Sequence, residues 1–477
     1  MLSLIIQKEL RDNLLNFRFV AACAVSILLI VVTIMTLTSS QRAAMDDYGS
    51  RTIAQEDFIS HYAHLNRWGW MSKPLRPPAR YGFVVQGIDR EAQQENFVSD
   101  PLPVLISQID LTTIVTIIMS LMAILFSYNS ISGEREAGLL KQMLTANLAR
   151  RTIIAGKFIG GSISLLIPFT IGLLTGLVFV AVRPVTQLGP VDFWVFLLLL
   201  FASWLYISGF YALGLFFSTR SSSSGVAVLK SLFAWVVLVL MLPNISPFLA
   251  AGLYRIPSKT KIDMETWKLQ GEERDQMVDQ GTKDLLRSKF PEIGGYLRDS
   301  WDVESEKLKQ KADTDPAFRE RYEQYKKAWM EMVREVNRRQ QEKIRIIRQE
   351  FEQRSKHQER LATMFASVSP LADYVFISTG LAEAGIQADD EWDKQLRQYQ
   401  TDVDPVLEKK YDDAIRRDPK FTHNDFLDMR DVPRFQYRPP RLTDKLDAAM
   451  PYFGVLALFN ILFLTGGWVS FLRYDVR

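Results

Sequence analysis

Six stretches of this chain run for about twenty residues with almost no charged side chain, and no other feature restricts its fold as tightly. They cover 17–38, 109–128, 158–182, 193–217, 226–242 and 450–472. Hydrocarbon offers no partners to backbone polar groups, so each stretch is predicted to be a transmembrane helix. The first is long for the apolar core of a secretion signal and is expected to remain as a span. Nearly 200 residues between the fifth and sixth stretches are densely charged instead. This mixture excludes a wholly soluble, a disordered and a collagen-like chain. It predicts an all-α integral membrane protein: six transmembrane helices and a large, mainly helical extracytoplasmic domain.

Sidedness follows from basic residues in the short connections. Lys8, Arg11, Arg18, Arg135, Lys141, Arg150, Arg151, Lys157, Arg220, Lys230, Arg473 and Arg477 fall on one side, whereas the loop between spans three and four offers only Arg183. Both termini are therefore expected in the cytoplasm, in an inner or plasma membrane, with 39–108 and 255–449 outside. Segment 1–16 precedes the first span, 129–157 joins spans two and three on the cytoplasmic side, and 473–477 forms a short cytoplasmic tail.

Cys23 is the only cysteine, so no internal disulfide or thiolate cluster exists. The histidines are His61, His64, His357 and His423. His61 and His64 share helical spacing but have no third ligand nearby, and no metal site is expected. A net charge of +3 gives no sign of a nucleic-acid partner. HExxH and GxSxG are absent, and Lys157 lacks the upstream glycine of a P-loop. The chain is thus not expected to be an enzyme and holds no cofactor. ATP and Mg, if used, belong to another polypeptide.

The first outer segment holds Trp68, Trp70 and the turn-forming run Lys73-Pro74-Leu75-Arg76-Pro77-Pro78. In the second, Phe318, Tyr322, Tyr325, Trp329, Met332 and Val336 alternate by four and three residues, a coiled-coil seam within a long helix over about 317–368. Gln340 and Lys343 interrupt it before Ile347, Phe351, Leu361 and Phe365. The partner helix lies either in the same domain or across a dimer. A basic face (Arg334, Arg338, Arg339, Lys343, Arg345, Arg348) is expected to be solvated. After span five, Pro243 and Pro247 are expected to stop the helix. The apolar remainder of 243–254, with Gly252 permitting close approach, suggests a re-entrant gate; the alternative is the base of the outer domain.

The most informative stretch joins spans two and three. Leu139, Leu140, Met143 and Leu144 form one apolar helix face, with Glu134 and Glu136 at its start and Arg150 and Arg151 at its end, as the helix dipole favours. Read alone, this is a helix on the membrane surface with anionic lipid beneath its arginines. Residues 1–16 repeat the theme: Leu2, Ile6, Leu10 and Leu14 face one way, Lys8, Arg11 and Asp12 another.

Glu134-Arg135-Glu136, Gly138, Leu140, Arg150-Arg151 and Gly156-Lys157 resemble the first cytoplasmic loop of the ABC-2 type permeases. Leu139 replaces the usual Thr, and Asn147 stands where Pro is frequent. The N-terminal segment looks like the family's elbow helix, 211–222 like its turn from span four to span five, and 471–477 like the ending of a subgroup with a large insertion before the last span. The resemblance implies that 129–157 holds a coupling helix docking in a cytoplasmic ABC ATPase. It further implies a second permease chain, the same or related, facing the first through spans one and five, and a re-entrant element before the outer insertion. The expected function is an ABC transporter permease subunit, with export the expected direction. Spans almost free of ionisable groups favour an amphipathic or lipid-linked substrate. The alternative is a non-transporting, ATPase-driven scaffold or force-transmitting machine whose outer helices meet an envelope partner.

Overall fold

The computed structural model describes residues 2–62, 73–87, 109–140, 142, 149–182, 188–296, 306–418, 421 and 425–472. Among these the chain is helical, with no strand. His64, Trp68, Trp70, Arg183 and the 473–477 tail lie outside the described residues. Among the described residues, six helices are long and apolar enough to cross a membrane. The chain divides into two compact units: 1–244 with 366–477, and 245–365.

The first unit begins with α1 (Leu2–Leu14) and α2 (Phe17–Tyr62). Segment 39–108 starts as helix, because α2 continues for more than twenty residues past position 38. Its charged second half packs Ile59 against Val403, Leu407, Met429 and Val432. α3 (111–127) contains a π-helical turn, Ile114–Met119, and leads to the short α4 (Ser132–Glu136). α5 (Arg150–Val182), α6 (Pro190–Arg220) and α7 (Ser224–Leu253) follow. Before α3, residues 81–85 dip into the bundle: Tyr81, Phe83, Val84 and Val85 are fully buried.

The expected stop at Pro243 does not occur. α7 stays helical through Pro243 and Pro247, and a π turn, Val236–Met241, ends two residues before Pro243. A widened turn shifts the hydrogen-bond register, so a residue without an amide donor can be carried. A separate dipping helix at 243–254 is thereby corrected, and a Cβ at Gly252 would meet nothing within 4 Å.

A short apolar helix does enter the bundle, farther along the chain. α12 (Pro370–Leu381) lies between spans rather than with the outer residues assigned to 255–449. The Tyr374 and Ser203 hydroxyls hydrogen-bond at 2.8 Å midway along α6, and the Tyr206 and Tyr374 rings are 5.2 Å apart. Ser369 Oγ donates to the Leu238 carbonyl, and Thr112 meets Ser378 at 3.3 Å. α13 (Ile386–Arg417) and α14 (Leu442–Leu472) complete this unit.

In the second unit, helical turns over 259–288 (α8), α9 (Pro291–Gly294), α10 (Glu306–Thr314) and α11 (Pro316–Ala366) form an antiparallel hairpin. Tyr254 with His357 (rings 4.7 Å apart), Arg274 with Asn337 (3.0 Å) and Phe290 with Tyr325 (rings 5.5 Å apart) fix its register. The long helix thus has its seam partner inside the same unit. The seam is not broken: Gln340 is buried in register, and Ile344 is buried where Lys343 was expected to interrupt. On the basic face, Arg338 and Arg339 pair with Glu335, and Arg345 with Glu342.

Candidate functional site

α4 is barely more than one turn long, and three successive side chains on it project in different directions. It ends at Gly138, whose φ of 75° suits a residue without Cβ. Its start is held by Ser218 Oγ of α6, which accepts from the amides of Ile131 and Ser132 at 3.0 Å each.

Each motif side chain reaches a different helix. Glu134 takes the Lys157 ammonium at 2.8 Å and Lys8 at 3.5 Å; Lys157 also reaches Glu9 at 2.7 Å. Lys157 is only 2% exposed, so its charge is tolerable because two carboxylates surround it. Arg135 donates to the carbonyls of Ser221 (2.8 Å) and Thr219 (3.3 Å), at the C-terminal end of α6. A cation is favoured there, where carbonyls lack intrahelical partners. Glu136 accepts from the Ser224 amide (2.9 Å) and hydroxyl (2.7 Å), an anion at the N-terminus of α7. Arg150 donates to the carbonyls of Phe471 (2.9 Å) and Leu472 (2.7 Å), closing the C-terminus of α14.

This geometry corrects the reading of 134–151 as one helix. Gly138 breaks it, and Arg150 and Arg151 begin α5 instead of ending a coupling helix. Arg150 serves a C-terminus after all, but that of another helix. The proposed apolar docking face is also divided. Leu139 is 46% exposed, whereas Leu140 is buried with Ile5, Ile131, Ile153, Ile154, Leu215 and Phe471. Met143 and Leu144 lie outside the described residues.

The elbow helix packs by a different stripe from the one expected. Leu2, Lys8 and Arg11 are exposed, and Ile6 and Leu10 half-buried. Ile5 is buried, Glu9 holds Lys157, and Asn13 donates to Ser164 at 3.1 Å. α5 admits this stripe through glycine: a Cβ at Gly156 would stand 2.6 Å from Ile5, and one at Gly160 2.8 Å from Glu9. The i, i+4, i+8 spacing of Ile5, Glu9 and Asn13 was visible, but the polarity of Glu9 and Asn13 hid it.

At the opposite ends of the spans lies a second polar knot that sequence reasoning missed. Asp192, 2% exposed, takes Arg80 in two hydrogen bonds of 3.0 Å, with Tyr81 and the Gly189 amide on the same carboxylate. Lys445 and Glu383 form a second buried pair. Among the described residues no cluster of three His, Cys, Asp or Glu could hold a metal.

Apolar helices with their ends tied by a short connecting helix define an all-helical integral membrane protein. The ABC-2 family transporter protein model matches residues 3–270, more than half of the chain, and the chain belongs to that family. Residues 278–438 match a domain of unknown function (DUF3526). The chain is similar to the probable ABC transporter permease protein NosY of Stutzerimonas stutzeri, 32% identical over 136 residues, 28% of this chain and 48% of that protein. It is equally similar to the NosY protein of Pseudomonas aeruginosa, 32% over 151 residues, 31% of this chain and 53% of that one. The chain thus spans about half the length of the curated relatives it matches.

Proposed function

We propose that this protein is the permease subunit of an ABC transporter, driven by a separate ATPase, and that 137–149 is the ATPase contact. The observation that carries the reading is the set of ties around that segment, three helix-end caps and one buried ion pair. Glu134, Arg135, Glu136 and Arg150 tie the loop's two ends to α1, α5, α6, α7 and α14. A push on the loop would therefore reach several helix ends together, as coupling to a soluble motor requires. The exposed Leu139 is the described apolar residue left for the motor to grip. Two permease chains with two ATPase subunits, and outward movement of an amphipathic substrate, are the assembly and direction that the family membership favours.

The test is association. The ATPase that co-purifies from native membranes, identified by mass spectrometry, should be lost from Leu139→Asp while the protein still inserts. Retention of the ATPase at wild-type stoichiometry would remove 137–149 as the contact. A native mass with a single permease chain per complex would remove the paired assembly.

A further inference from the structure

α12 carries a buried charge-bearing group that none of the preceding chemistry uses. Asp373 is 0% exposed, and neither carboxylate oxygen has a hydrogen-bond partner. Among the described residues, the elements packed against it offer no compensating cation. Tyr452 of α14 is within electrostatic reach, but it is a neutral phenol at ordinary pH. On α6, Tyr206 packs its ring at a tilt against Tyr374 and donates to the Thr116 carbonyl. At the start of α3, Asp110 is occupied by Thr113 and Gln86. The facing turn of α7, 236–241, contains no titratable residue. Lys445 is committed to Glu383, and Asp389 of α13 to Arg76.

An ionised carboxylate without partners is strongly disfavoured in such surroundings, whereas the protonated acid is a neutral polar group of ordinary cost. Ionisable groups held inside a membrane bundle commonly mark functional sites. We propose that Asp373 is a proton-binding site: α12 is seated between the spans with this carboxyl as the neutral acid. Loss of its proton to solvent unseats the helix. The sign follows from the burial. Ionisation is penalised only in the seated state, so seating is strongest at low pH and weakens as pH rises. The ligand is a proton, and the moving part is a twelve-residue helix tied by Ser369, Tyr374 and Ser378.

Infrared spectroscopy of the full-length protein in lipid nanodiscs, with ¹³C-labelled aspartate, tests the first half. A carboxylic-acid carbonyl band at neutral pH, absent from Asp373→Asn, is expected to fade as pH rises. Ala372→Cys in a Cys23→Ser background tests the second. Its labelling by a membrane-impermeant thiol reagent should rise with pH several-fold more than in the same protein carrying Asp373→Asn, which removes the intrinsic titration of the thiol from the comparison. Should the Asn variant fail to fold, Asp373→Leu supplies the neutral reference, and the acid band titrates in the unsubstituted protein. Absence of an acid band at neutral pH would overturn the proposal. So would equal pH dependence of labelling with and without the carboxyl.

Discussion

The two ends of the helix bundle face the same physical problem and solve it with different stretches of chain. Where α1 sits, the buried charge and open helix termini are served by Glu134, Arg135, Glu136 and Arg150, all from one short connection. At the other end, Asp192 is matched by Arg80 and Glu383 by Lys445, pairs 112 and 62 residues apart in the chain. The first solution concentrates its ties in one connection, the arrangement that the proposed coupling would use. The second distributes them, so each pair fixes a local contact. A lever and a clamp differ in this way, although both are built from carboxylates and cations.

The largest expected effect breaks the first end. Lys157→Met leaves Glu9 and Glu134 facing each other in a buried site and should cost roughly 3–5 kcal/mol, seen as a lower unfolding midpoint in detergent. Adding Glu9→Gln and Glu134→Gln should recover most of it. If the triple variant is no more stable than the single one, burial of unpaired charge is not the cause. Next, Leu140→Ala should cost about 2–4 kcal/mol through the cavity it leaves. Leu139→Ala, on the neighbouring exposed position, should stay within about 0.5 kcal/mol. Equal losses at the two sites would contradict the divided face.

At the distributed end, Asp192→Asn should cost roughly 1.5–3 kcal/mol, since Arg80 and Tyr81 lose a charged acceptor. A loss exceeding that of Lys157→Met would reverse the ranking of the two ends. The smallest effect belongs to the exposed ion pairs of α11. The Glu335 carboxyl is held down to about 2 by hydrogen bonds from Arg338 and Arg339. Its contribution is present above the ordinary carboxylate range and lost as pH falls toward about 2. Because these groups are solvent-exposed, Glu335→Gln should shift the unfolding midpoint far less than any buried substitution.

The fold was largely legible, and the residues explain which part was not. Uniformly apolar runs announced the spans, and alternation from Phe318 to Val336 announced the hairpin seam. Gly138 was flagged by its motif, but its effect was underrated: one residue with positive φ separates the short helix that carries Glu134, Arg135 and Glu136 from the turn that begins at Leu139. The apolar stretch Pro370–Leu381 is too short at twelve residues to cross a bilayer, so its length alone does not mark it as part of the bundle. Tyr81 and Asp192, each unremarkable in its own neighbourhood, meet only after the chain has folded.

Hydrophobic length and period are local properties, since each peptide unit in lipid must find its partner within its own helix. The sequence by itself therefore determined the six spans, the family resemblance and the α11 seam. Which helix end each charge serves depends on which termini lie next to it, and that is a property of packing. Only the tertiary structure decided that Leu140 is core and Leu139 surface, that Arg150 closes α14, and that α7 continues through two prolines while α12 enters the bundle.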